Sequence, residues 1–245
     1  MNQIKCNKCS RLFETKKKIQ KYCSKSCANS VTSSARAVID SNAFGSEINT
    51  SDKAYLLGYI FSDGCLSYDK HSKRERITIV SNDLQIINEF HKIMTPNKSI
   101  YQQGKSYKVV SNNPIDIQIL KEHGVTYNKS LSIRFPEISE NLMPDFIRGV
   151  FDGDGCVYIN KTKSNNIIYE YLNASFTTGS LDFANELINA LAIFDIRAKL
   201  NKDCRKETYY IRIQSKENIH KFFNLIYRNN SLKLERKYLK FVKMI

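Results

Sequence analysis

The chain has 245 residues, 42% of them hydrophobic, enough for one large or two ordinary domains with a real core and too apolar for general disorder. Lys and Arg total 38 against 24 Asp and Glu, a formal charge of +14, which points to a polyanionic partner: DNA, RNA or an anionic membrane surface. No run approaches the roughly 20 apolar residues that span a bilayer, and MNQIKCNKCS has no apolar signal region, so a soluble protein in a reducing, intracellular setting is expected, with cysteines serving as ligands rather than disulfides.

Residues 1–30 are rich in cysteine and lysine. Cys6 and Cys9, then Cys23 and Cys27, have the spacing of a tetrahedral four-thiolate Zn²⁺ site, and a segment this short needs a metal to supply its folding free energy. Arg11 and Lys16, Lys17, Lys18, Lys21 and Lys25 make DNA contact a use for it. Residues 31–51 are small, polar and weakly patterned, as a linker is.

From residue 52 the pattern strengthens and repeats. DKAYLLGYIFSDG is an apolar helix entered after Ser51–Asp52 and stopped at Gly64; CLSYD and RITIVS are strands. DLQIINEFHKIM is a helix, SIYQQGKSYKVVS a hairpin turning near Gly104–Lys105, and NPIDIQILKEHG a helix. The order then recurs: an apolar helix over 142–155, two strands within CVYINKTKSNNIIYEYLNASFTT, the helix SLDFANELINALAIF, the hairpin IRAKLNKDCRKETYYIRIQS and the helix KENIHKFFNLIY. A further helix, SLKLERKYLKFVKMI, closes the chain. The fold class is therefore α+β, two pseudo-symmetric α-β-β-α-β-β-α halves over 52–135 and 136–245, a period of roughly 100 residues that is too long for a solenoid.

Gly58 and Ser62 lie four apart in the first apolar helix, and Gly149 and Gly153 do so in the second, giving each a stripe of small residues along which two backbones can approach. Asp63 and Asp154 end these helices, where the dipole already disfavours an acid. If the stripes pair, the two carboxylates converge, raise each other's pKa and call for a hard divalent cation.

Leu56–Gly64 and Ile147–Gly155 resemble the two signature motifs of a single-chain LAGLIDADG homing endonuclease, the resemblance covering about residues 52–245. It implies that the motif helices join two sheets into a saddle over double-stranded DNA, bound by a monomer. The protein would be a site-specific endonuclease hydrolysing one phosphodiester per strand with Mg²⁺, leaving short 3′ overhangs. Asp63 and Asp154 would hold Mg²⁺ with the carbonyls of Ser62 and Gly153, Lys216 would flank a scissile phosphate with Asn112 at its counterpart, and Asn82 would position water opposite Gly179. Strand polar residues suited to DNA are Lys70, Arg74, Arg76, Gln102, Gln103, Lys105, Lys108, Lys161, Lys163, Arg197, Lys199, Lys202, Arg205, Arg212 and Gln214. The first copy has Phe61 where the second has an earlier acid, Asp152, so two similar but unequal cutting centres are expected.

Cys65 and Cys156 are expected as buried structural thiols. YCSKSC resembles treble-clef-like fingers appended to nucleases. The alternatives are an RNA-binding intron maturase on the same fold and a silent DNA-binding regulator; an intein is disfavoured by the starting Met and the ending LKFVKMI. The expected compartment is the cytoplasm or nucleoid of a bacterial or phage-infected cell, or an organelle.

Overall fold

The computed structural model describes residues 2–16, 19–31, 44–45, 47–204, 206–228 and 232–243. Two compact units divide the chain, residues 1–42 and 43–245. Most of the stretch read as linker, 32–43 and Ser46, lies outside the described residues, as do Lys17, Lys18 and Arg205.

In the first unit, β1 (Asn2–Lys5) and β2 (Leu12–Thr15) pair antiparallel, and residues 25–31 are helical. The turn between the strands is tight: Ser10 N–H donates to the Cys6 carbonyl at 2.9 Å, and Ser10 takes a φ of 60°.

The second unit holds the duplicated pattern. The first half runs α1 (Ser51–Asp63), β3 (Gly64–Asp69), β4 (Arg74–Ser81), α2 (Leu84–Met94), β5 (Tyr101–Gln103), β6 (Ser106–Ser111) and α3 (Pro114–Glu122). The second runs α4 (Met143–Asp154), β7 (Gly155–Ser164), β8 (Ile167–Thr178), α5 (Leu181–Ile193), β9 (Ala198–Lys202), β10 (Tyr209–Ile213) and α6 (Lys216–Ile226), followed by α7 (Glu235–Val242). The two sheets are antiparallel, ordered β3-β4-β6-β5 and β7-β8-β10-β9, so corresponding strands occupy corresponding places. A short 3₁₀ turn, Lys129–Leu131, carries the chain between the halves.

α1 is capped one residue earlier than the sequence suggests, by Thr50, whose hydroxyl accepts from Lys53 N–H. Its end also differs in kind. Gly64 has φ −79° and ψ 144°, so it opens β3 directly instead of supplying a left-handed helix stop. Glycine is needed there for space: a β-carbon would lie 2.6 Å from the Ile60 carbonyl oxygen. Gly155 repeats this, with the Phe151 ring and carbonyl oxygen at 2.3 Å.

One core runs through both halves. Phe61 meets Phe146 edge-on at 5.1 Å, and Phe151 packs on Phe176 and Phe222. Phe44, within the stretch read as linker, is fully buried, and its N–H donates to Asp116.

Candidate active site and nucleic-acid face

α1 and α4 touch backbone to backbone along the small stripes. A β-carbon on Gly58 would sit 2.0 Å from the Phe146 carbonyl oxygen; one on Gly149 would sit 2.1 Å from the Tyr55 carbonyl oxygen and 3.0 Å from Gly58 Cα. Gly153 is the third contact, where a β-carbon would meet Ser62 Oγ at 1.8 Å and Asp63 Oδ2 at 3.4 Å. The helix ends are thereby locked together, with Asp63 beside the residue preceding Asp154. Only glycine allows this approach, which offsets its helix cost of about 1 kcal/mol.

Both aspartates are exposed residues, while their carboxyl groups are partly buried at the helix ends. That burial, joined by the charge of Asp63, pushes the Asp154 carboxyl up to about 6. Asp63 is also raised by burial, but less freely: the Tyr59 hydroxyl and the nearby cations pull it back. The corresponding position before Asp154 is Val150, which has no hydroxyl to offer, so the centres differ at this contact.

Two lysines that sequence reasoning passed over stand at these helix ends. Lys129 Nζ donates to the Ser62 carbonyl at 3.1 Å. Lys237 Nζ donates to the carbonyls of Phe151, Asp152 and Gly153 at 2.7, 2.7 and 3.1 Å. Both are buried, and burial lowers both, Lys237 to about 8, while each feels the attraction of Asp63 and Asp154. They cap the negative ends of the two helix dipoles and supply the positive charge that the paired acids require. Their sequence signal is weak: neither lies in a periodic segment shared by the halves, and they follow their aspartates at unequal intervals.

The earlier acid of the second motif is structural. Asp152 is 1% exposed and accepts from Tyr55 Oη at 2.9 Å and from Leu234 N–H at 2.8 Å, and burial lifts its carboxyl to about 6. Beside it Arg148, fully buried over the Tyr55 ring, pairs with Asp145 at 2.7 Å and donates to the carbonyls of Leu232 and Ile226.

The remaining predicted site residues are dispersed. Lys216 opens α6, exposed, and lines a separate cavity of about 330 Å³ with Tyr171, Ser215 and His220. Asn82 is exposed and accepts from Ser106 Oγ at 2.7 Å, while Asn112 accepts from Lys98 Nζ at 2.7 Å. Gly179 packs against the 3₁₀ turn, where a β-carbon would meet Ser130 O and Leu131 Cδ2 at 2.7 Å.

Strand register sorts the expected DNA contacts. In the first sheet, Arg74, Arg76, Gln103 and Lys108 share the face opposite the core-facing Leu66, Ile77 and Ile79, while Gln102 takes the core side at an edge; Lys70 and Lys105 lie in turns. In the second sheet, Lys199 and Arg212 pair on the open face. Lys161 and Lys163 fall on the parity of Val157, beyond the core, with Lys161 tied to Glu170, and Lys202 lies over the Tyr209 ring at 5.6 Å. Arg197 precedes β9 and Gln214 follows β10. Cys65 and Cys156, expected to be buried, are exposed instead. As the second residues of β3 and β7 they alternate away from the core, which the glycines before them occupy.

In the first unit, the four predicted cysteines converge, their Sγ atoms all within 4.8 Å of one another. Four thiolates about 2.3 Å from a tetrahedral zinc would lie about 3.8 Å apart, which this cluster fits. Backbone N–H groups, that of Cys9 foremost, pull the Cys6 thiol down to about 6, toward the thiolate a metal needs, whereas the Cys9 and Cys27 thiols beside it push Cys23 up to about 12.

Residues 142–227 match the family described as LAGLIDADG-like domain. The unit also has the fold of known homing endonucleases. A structure of I-SmaMI bound to uncleaved DNA target in the presence of calcium ions aligns with a TM-score of 0.59, at 15% identity, over 78% of this chain and 89% of that one. The I-SmaMI LAGLIDADG homing endonuclease bound to cleaved DNA gives 0.57, at 16% identity, over 78% and 87%. Among curated proteins, a probable translation initiation factor IF-2 of Methanocaldococcus jannaschii is 26% identical over 70% of this chain, and a replication factor C small subunit of the same organism 25% over 78%. The chain spans only 14% and 10% of their lengths, so the likeness is to a segment within each. No helix among the described residues is long and apolar enough to cross a membrane.

Proposed function

We propose that this chain, which carries a LAGLIDADG-like domain, is a site-specific double-strand DNA endonuclease cutting one phosphodiester on each strand and leaving short 3′ overhangs. The observation that carries the reading is the meeting of Asp63 and Asp154 at two helix ends in backbone contact, each end capped by a buried lysine. An acid pair held at this cost is a functional-site signature. The endonuclease I-SmaMI, which shares the fold and has been seen on both cleaved and uncleaved DNA, supports the substrate class.

The donor set fits a hard divalent cation. Two carboxylates converge, and the carbonyls of Ser62 and Gly153 each keep a lone pair beyond the one the lysine uses. Asp63 and Asp154 would hold Mg²⁺, which when bound polarises the phosphate and lowers the pKa of attacking water. The protein's own groups do the rest. Lys129 and Lys237 keep positive charge in the centre as negative charge grows on the phosphoryl oxygens. Phosphates entering the cleft also restore the negative charge that the lysines cancel, so cation and DNA would bind together. Arg74, Arg76, Lys108, Lys199 and Arg212, on the open sheet faces, would hold the duplex and read its bases, and the protein would act as a monomer because both centres lie in one chain.

The Cys6–Cys9–Cys23–Cys27 cluster would hold structural Zn²⁺, its lysines adding phosphate contacts to the footprint. The test is selection from a randomised duplex library with Mg²⁺. The parent should yield cut sites, Asp63→Asn and Asp154→Asn nicked products only. Failure of the parent to cut any member at low salt rejects the reading.

A further inference from the structure

The two lysines are held in different ways. Lys237 sits in α7, which its own half secures: Asp152 accepts from Leu234 N–H and Arg148 donates to Leu232 O. Arg236 of this helix pairs with Asp83 of the first half at 3.0 Å, and the arginine is over half exposed. Lys129 sits in a 3₁₀ turn of three residues, entered through Asn128 at φ 52°. So short a turn cannot by itself fix a long, flexible side chain.

What fixes it comes from the second half. Gly179 lies so close to Ser130 O and Leu131 Cδ2 that a β-carbon would reach both at 2.7 Å. Next to it, the buried Ser180 hydroxyl donates to Ile133 O at 2.6 Å and accepts from Phe183 N–H, tying the turn's exit to the start of α5. Ile133 N–H in turn donates to Lys129 O at 2.8 Å, so the bond from Ser180 is one residue link from the lysine. Farther along, Glu186 accepts from Phe135 N–H and Arg134.

From this clamp we infer that Gly179 and Ser180 are positioning residues for Lys129, so that the Asp63 centre is completed by the opposite half of the chain. The inference rests on the nuclease reading only where it speaks of cleavage. It also accounts for the pairing of Asn82 with Gly179: a side chain is tolerated at the first position, while the second must leave room for the turn.

Two measurements on the full chain test it. In the first, without DNA, lysines are acetylated with a water-soluble reagent and quantified by peptide mass. Gly179→Ala and Ser180→Ala should each raise modification of Lys129 several-fold and leave Lys237 unchanged, and Ser180→Thr, which keeps the hydroxyl, should restore protection. Unchanged Lys129 labelling, or equal gains at both lysines, overturns the inference. In the second, an end-labelled duplex that the parent cuts is followed strand by strand. Gly179→Ala should slow, by tenfold or more, the same strand that Lys129→Met slows, and spare the other. Equal slowing of both strands, as general loosening would give, also overturns it. If the parent cuts no duplex, the nuclease reading falls while acetylation still decides the clamp.

Discussion

Replacing Gly149 by Ala tests the interface on which both centres depend. The added carbon would lie 2.1 Å from the Tyr55 carbonyl oxygen and 2.7 Å from Tyr59 N, and these are backbone atoms of a buried helix with no rotamer to change. Relief requires α1 and α4 to part until the first contact reaches an ordinary 3.4 Å or more. A gap of that order forfeits about a quarter to a half of each dispersion contact across the seam. Overpacking typically costs about 1–3 kcal/mol, and here nothing flexible can give. Against this, alanine returns about 1 kcal/mol of helix propensity. With the cost at the upper end of that range, a net loss of about 2 kcal/mol is expected in urea unfolding, read as a lower midpoint at unchanged slope. Cleavage of both strands should fall together, because the helix ends carry both aspartates. Gly104→Ala is the control: nothing lies within 4 Å of its β-carbon, so only the strain of φ +60°, about 1 kcal/mol, applies. A Gly149→Ala protein as stable as the parent, with both strands cut normally, would refute the backbone-contact argument.

Cleavage at limiting Mg²⁺ should fall as pH drops through about 6, where Asp154 takes up a proton, and raising Mg²⁺ should move the midpoint down. In Asp63→Asn, which removes a like charge, the midpoint for the remaining strand should also move down; no movement would contradict the coupling. Asp152→Asn should be more stable than the parent at pH 8. The native carboxyl near 6 lies above the ordinary 3.8, so the folded state pays for ionisation as pH rises through that window, on the order of 2–3 kcal/mol at most. The difference should vanish below about pH 4, and loss of stability at pH 8 would show that the charged form is the one the fold favours. Metal analysis should find one zinc per chain, lost in the Cys6→Ser, Cys9→Ser double variant; undiminished zinc there rejects the four-thiolate site.

Much of the fold was legible because its signals are local. Periodicity marks α1 and α4, and small residues four apart announce the close seam that Gly58 and Gly149 form. The cysteine spacing was equally direct, since a tetrahedral site constrains short loops. Lys129 and Lys237 were not legible, because what makes them special is a carbonyl far along the chain, and surface lysines look the same in sequence. The exposure of Cys65 and Cys156 was lost for a different reason. Strand parity depends on which residue begins the strand, and Asp-Gly in a sequence reads as a helix stop, whereas Gly64 is the first residue of β3. The same parity argument separates Lys161 and Lys163 from Lys199 and Arg212 among basic residues that composition treats alike.

The seam of α1 and α4 has a bearing on how such a protein changes over generations. Main-chain atoms set the spacing of the two aspartates, so drift in side chains cannot lengthen or shorten it by small steps. In the proposed nuclease, the stagger between the two cuts would thus be a gauge inherited whole. The open sheet faces carry a looser constraint, since Arg74, Arg76 and Lys199 there are exposed. For such a nuclease, new target sequences would be within reach of gradual substitution, whereas a new overhang length would require rebuilding the seam at one stroke.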